Sequence, residues 1–134
     1  MKTIADTGWI VAFRNNRDEH HRWAKRLGMV LTLPILTCEA VLAEAAFRLE
    51  STRAVLDMLE SGLMKVAFRV DEHQPRLSEL SEAYRDRKPD LADVCLICMS
   101  EIFQKHTILT VDHQDFSIYR RHRTQPIPFL SPKD

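Results

Sequence analysis

The sequence predicts an α/β fold built on a parallel sheet. Three observations carry this reading. Short apolar segments alternate along the chain with stretches whose apolar residues recur at helical spacing. The apolar segments are only a few residues long, as strands joined through helices are. One stretch, 91–104, is apolar on nearly every side, from Leu91 and Ala92 through Ile102 and Phe103. A helix with so little polar face is buried on most sides.

The elements follow in order. Residues 2–5 (KTIA) read as a short buried strand closed by Asp6-Thr7-Gly8. A helical pattern through His21, Ala24 and Leu27 covers 18–28 and ends at Gly28. Residues 31–36 read as a second strand. Pro34 keeps it short or at an edge, because proline donates no ladder hydrogen bond. From Ile35 or Leu36 to Leu49, apolar positions 38, 41, 42, 45 and 49 follow the helical period. A further helix spans 51–61 through Val55, Leu56, Met58 and Leu59, stopped by Ser61-Gly62. Residues 64–70 alternate as a strand, and 72–86 are amphipathic through Leu77, Leu80 and Tyr84. After the buried helix come two short apolar strands, 107–111 and 127–130, the second interrupted by Pro128.

Composition sets bounds on function. The 134 residues suit a single domain, 1–134, with its own core. With 45% apolar and 28% charged residues the chain reads as soluble and globular. No apolar run approaches the roughly 20 residues of a membrane span. The opening MKTIADTGWIVAF carries Asp6 in mid-run and no small-residue cleavage site, so a cytoplasmic protein is expected. Three cysteines, Cys38, Cys95 and Cys98, are an odd number and read as free thiols. Cys95-x-x-Cys98 lacks a second ligand pair and lies in mid-helix, which favours buried small residues over a zinc or redox site. The net charge is zero, so nucleic-acid binding requires a local patch. Arg120, Arg121 and Arg123 form the best one, with Arg85, Arg87 and Lys88 in support; the alternative is a solvated loop.

Four carboxylates stand at the edges of apolar segments. Asp6 directly follows the first strand, and in open α/β sheets ligands bind beyond the carboxyl ends of strands. It can equally cap a helix, accepting from Gly8 or Trp9. Asp112 ends the strand ILTVD in the same way, with Asp115 three residues on; turn chemistry is the plain alternative. Glu44 borders the apolar stripe of its helix, where it can lean over the sheet edge toward Asp6 or pair with Arg48. Glu39 is its rival on the same helix. Asp90 and Asp93 bracket the start of the buried helix as N-cap and N3, a capping-box arrangement. Asp90 suits the cap; Asp93 lies at the edge of the interior, where an unpaired charge is costly.

These segments resemble, in order, the PIN-domain ribonucleases, and most closely the VapC-type toxins of bacterial toxin–antitoxin pairs. The matching pieces are IADTGWIVAF (4–13), LTCEAVLAEAAFRL (36–49), DLADVCLICMSE (90–101) and ILTVDHQDFSIYR (108–120), with LSELSEAYRDRKPD (77–90) leading into the third. The resemblance spans essentially the whole chain. It implies a three-layer α/β/α sandwich with a central parallel sheet and an acidic pocket for Mg²⁺ or Mn²⁺. Asp6, Glu44, Asp93 and Asp112 match the family's four acidic positions, with Asp6, Asp93 and Asp112 as metal ligands. Thr7 and Thr110 match hydroxyl positions beside them; Asp90 and Asp115 match further acidic positions. The implied activity is endoribonucleolytic hydrolysis of RNA. Implied partners are a cognate antitoxin, whose peptide lies across the pocket, and a second copy of the chain, with no membrane. Trp9, Phe13 and Trp23 are candidates for those interfaces or for the core. The competing readings are a non-catalytic module binding a basic peptide and a housekeeping RNA-processing nuclease of the same fold.

Overall fold

The computed structural model describes residues 1–132. Its centre is a five-stranded parallel sheet of β1 (Thr3–Ala5), β2 (Ile35–Thr37), β3 (Met64–Val66), β4 (Thr107–Leu109) and β7 (Phe129–Leu130). The spatial order is β3-β2-β1-β4-β7. Seven α-helices flank it: α1 (Thr7–Arg14), α2 (His21–Gly28), α3 (Glu39–Leu49), α4 (Thr52–Glu60), α5 (Gln74–Ala83), α6 (Leu91–Ile102) and α7 (His113–Ile118). The result is the three-layer α/β/α sandwich. A two-residue pair, β5 (Arg120–Arg121) and β6 (Gln125–Pro126), forms a separate antiparallel ribbon.

Strand order positions the site. From β1 the chain builds outward to β2 and β3 on one side, then returns to place β4 and β7 on the other. The order therefore reverses between β1 and β4, and such a switch point opens a crevice at the carboxyl ends of the two strands. Register brings Thr3, Ile4 and Ala5 opposite Thr107, Ile108 and Leu109, so Asp6 and Thr110 leave the sheet side by side. The Asp6 amide continues the ladder by donating to the Leu109 carbonyl at 2.9 Å.

Most strands are shorter than the sequence suggests. Residues 64–70 keep sheet pairing only to Val66 and pass into a 3₁₀ turn at Val70–Glu72. Pro34 lies just before β2, where its missing N–H costs the ladder nothing. Two helices stand where the sequence shows no helical period, although Asp6 is a candidate cap for the first. In α1, Thr7 through Ala12 are all buried, so no polar face marks the helical period. The helix α7 has six residues, too few to show a period at all.

The core runs from Ile4 and Ile10 across Ile35 and Val41 to Leu96 and Ile108, each with no exposed surface. As expected, α6 is buried from Val94 to Ser100. The three cysteines are free and buried. Trp9 is fully buried and stacks on Phe13 at 4.8 Å, which makes it core rather than interface. Phe13 and Trp23 are partly buried against the same core.

Gly8 sets how closely α1 approaches the β4–α7 turn. A Cβ there would overlap Val111 Cγ2, and Val111 directly precedes Asp112. Overpacking of this kind costs about 1–3 kcal/mol. Gly8→Ala is therefore expected to lower stability by that amount in urea unfolding, with the damage centred on the turn that carries Asp112.

Candidate active site

Asp6 is the N-cap of α1. Its Oδ1 accepts from the Thr7 amide at 2.6 Å and its Oδ2 from the Thr110 hydroxyl at 2.7 Å. The capping alternative thus holds, with the amide of Thr7 in place of Gly8 or Trp9, but it occupies one oxygen only. Around Asp6 runs a continuous hydrogen-bonded chain. The Thr7 hydroxyl donates to Glu44 Oε1 at 2.8 Å, which brings the flank of α3 to the end of β1. Thr110 Oγ1 in turn accepts from the Asp112 amide at 3.0 Å. Asp112 caps α7, its Oδ1 accepting from the Asp115 amide at 3.0 Å. Arg87 Nη2 closes the chain on Asp115 Oδ1 at 2.6 Å.

Asp93 enters from the head of α6. The capping box is present: the Asp93 amide donates to Asp90 Oδ1 at 2.8 Å, and the Asp90 amide to Asp93 Oδ2 at 3.3 Å. The hydroxyl of Tyr119 reaches the same Asp93 oxygen at 3.4 Å. Tyr119 is fully buried, so its ring fixes that hydroxyl against the carboxylate. Asp90 is exposed and serves the cap.

Electrostatics separates the carboxylates that share a site from those that do not. Burial pushes Asp6 from 3.8 to about 6, against the pull of the Thr110 and Thr7 hydrogen bonds, with Glu44 and Asp112 adding repulsion. Asp93 rises to about 7, first by burial, then by repulsion from Asp90, Asp6 and Asp112. Asp112 is also raised, mainly by burial. Asp115 goes the other way, because the Arg87 guanidinium stabilises its charge. Asp6, Asp93 and Asp112 thus come from three distant segments, with Asp112 opposing the ionisation of both Asp6 and Asp93, and Asp6 that of Asp93.

The other candidates lie elsewhere. Glu39 is exposed and lines an apolar cleft between α3 and α4 with Leu42, Phe47 and Leu56. Arg121 donates to the carbonyls of Ser100 and Gln104 beyond the C-terminal half of α6. At about 1.5 Å rise per residue, that end lies roughly 10–16 Å along the axis from Asp93. Arg120 donates to the Ser117, Ile118 and Tyr119 carbonyls, and Arg123 pairs with Glu79. The basic residue at the carboxylates is Arg87. Sequence reasoning gave it only a supporting place, and Tyr119 none, since neither contact has a local spacing to announce it.

Hard oxygen donors with no lysine or arginine bonded to Asp6 or Asp93 among the described residues fit a divalent cation in kind. Among the described residues, however, no group of three or more His, Cys, Asp or Glu side chains is arranged to hold a metal ion. Asp93 accepts from the Asp90 amide and Asp112 from the Asp115 amide, so each has an oxygen engaged in a helix cap. Mg²⁺ keeps several of its waters and needs few direct protein ligands, so a closed cage is not required.

No family model matches the chain, and no curated protein matches it in sequence. Among solved structures it is similar to VapC20 of Mycobacterium tuberculosis, a sarcin-ricin loop cleaving toxin, with a TM-score of 0.67. The match covers 80% of this chain and 87% of that one at 18% identity. The chain has a PIN-like fold. The expected sandwich and parallel sheet are therefore observed, and the likeness at this identity speaks for the fold. No helix among the described residues is long and apolar enough to cross a membrane.

The raised carboxylates give a pH signature. A folded pKa of about 6 for Asp6 against an ordinary 3.8 means that the folded chain holds a proton the unfolded chain has lost. Stability must then fall as pH rises through the window from about 4 to 6. Asp6→Asn removes this penalty, worth on the order of 3 kcal/mol. In EDTA the variant is expected to melt above wild type at pH 8, with the gap closing as pH falls toward 4. A gap independent of pH would contradict the assignment.

Proposed function

We propose that this chain is a divalent-metal-dependent endoribonuclease hydrolysing RNA phosphodiester bonds, the toxin of a toxin–antitoxin pair. The observation that carries the reading is the buried Asp6 at the switch point of a PIN-like sheet, its ionisation opposed by Glu44 and Asp112, with Asp6 and Asp112 in turn opposing that of Asp93. Carboxylates that oppose one another in this way are costly unless a cation or substrate chemistry requires them. The structural neighbour is an RNA-loop cleaving toxin, which makes looped RNA the substrate class to test first. Looped or single-stranded RNA also exposes a backbone that can enter a narrow acidic crevice.

Asp6, Asp93 and Asp112 would hold Mg²⁺ or Mn²⁺, which supplies positive charge to a phosphodiester in a site otherwise negative. Thr110 keeps Asp6 aimed and favours its ionised form. Glu44, which accepts from the Thr7 hydroxyl, would be a further ligand or would orient or deprotonate the attacking water. Tyr119 orients Asp93. An antitoxin peptide with a basic side chain would find its complement in the same carboxylates, and a homodimer is the expected assembly. Cytoplasmic action on RNA follows from this reading.

Purified protein with Mn²⁺ or Mg²⁺ is expected to cut a labelled RNA hairpin, and Asp6→Asn to reduce cutting to background. Thr110→Val removes a hydrogen bond to a ligand rather than the ligand, a change that costs roughly 10–100-fold in activity or metal affinity. Equal cutting by wild type and Asp6→Asn, or cutting unaffected by EDTA, contradicts the proposal and favours a non-catalytic acidic pocket.

A further inference from the structure

Arg87 sits at the mouth of the candidate site on a feature the proposed chemistry does not use. It ends a 3₁₀ turn, Arg85–Arg87, between α5 and α6, two residues before Pro89 and three before Asp90. The next residue, Lys88, is exposed and holds a left-handed backbone (φ 51°), which turns the chain sharply into α6. From there the Arg87 guanidinium reaches Asp115 on α7, at 2.6 Å. Both side chains of the pair are 31% exposed, so the bond faces water and is easily exchanged. Arg87 is also close enough to lower Asp112's raised pKa.

Asp115 itself does not need this partner to keep its place. Its amide, a backbone group, is what caps Asp112. Arg87 is thus a cation held beside Asp115 and Asp112 without being required by the cap hydrogen bond between them. A crevice that takes a polyanion needs such a cation at its entrance, and a guanidinium meets a phosphate through two parallel N–H···O bonds. Arg120 and Arg121 are not free in this way, since their guanidinium groups are committed to backbone carbonyls.

We propose that Arg87 is a phosphate-binding residue of this site, held by Asp115 in the free protein and transferred to an RNA backbone phosphate when substrate enters. This rests on the ribonuclease reading above. Lys88, beside it and exposed, extends the same basic rim. Asp115 then competes with RNA for Arg87, which assigns the two residues opposite effects on binding.

The test uses a fluorescein-labelled RNA hairpin, Mg²⁺ and the Asp6→Asn protein, which binds without cutting, with binding followed by anisotropy over a salt series. Arg87→Ala is expected to weaken binding about tenfold and to flatten the dependence of log K on log salt by about 0.7, one single-strand phosphate contact. Arg87→Lys should retain most of the salt dependence, and Asp115→Asn should tighten binding. Circular dichroism melts of each variant establish that it folds. If Arg87 only braces Asp115, both Arg87→Ala and Asp115→Asn weaken binding together and the salt slope stays unchanged, which overturns the proposal. If wild type cuts the hairpin and Arg87→Ala binds it equally well, the proposal fails while the ribonuclease reading stands. Absence of any RNA binding or cutting by wild type overturns both.

Discussion

The structure depends on one constraint: Asp6 leaves the end of a fully buried strand at the point where strand order reverses. Pairing of Ala5 with Leu109 fixes the backbone, and the Thr110 hydroxyl on Oδ2 fixes the side chain. A carboxylate in that position has lost most of its water without gaining a cationic side chain. Its pKa of about 6 shows how incompletely two hydrogen bonds offset the loss.

The surrounding sequence makes sense as the support of that one group. Gly8 lets α1 start immediately behind it. Thr7 and Thr110 are small hydroxyl residues on either side, each linking a carboxylate to the next element. The apolar helix α6 brings Asp93 to the same crevice because the residues behind it, Val94 to Ser100, have nowhere to go but the core. Burial along the body of one helix thus positions the charge at its head. Arg87 works from outside, through a bond to Asp115 that faces solvent.

Much of this was legible in the sequence and some was not. The alternation of short apolar runs with helical periods led to the parallel sheet, and Asp6 and Asp112 were visible as residues closing strands. The capping box at Asp90 and Asp93 was readable from a three-residue spacing and is formed. The helix α1 was hidden because its visible residues are buried all round, which erases the amphipathic signal. Long-range partners were hidden for a different reason. Tyr119 meets Asp93 across 26 residues and Arg87 meets Asp115 across 28, so no local period encodes either contact. The basic run near Arg121 stood out by composition alone, yet Arg120 and Arg121 donate to backbone carbonyls and Arg123 pairs with Glu79. Charge density in sequence did not translate into charge at the site.

The central claim is that Asp6, Asp93 and Asp112 form one cation-binding crevice. Crystals soaked in Mn²⁺ and measured for anomalous scattering address it directly. The account predicts a peak in contact with Asp6 and at least one of Asp93 and Asp112, with Asp93 turned off the Asp90 amide to reach it. Absence of a peak at saturating Mn²⁺, or a peak only at surface carboxylates such as Asp71, would contradict it.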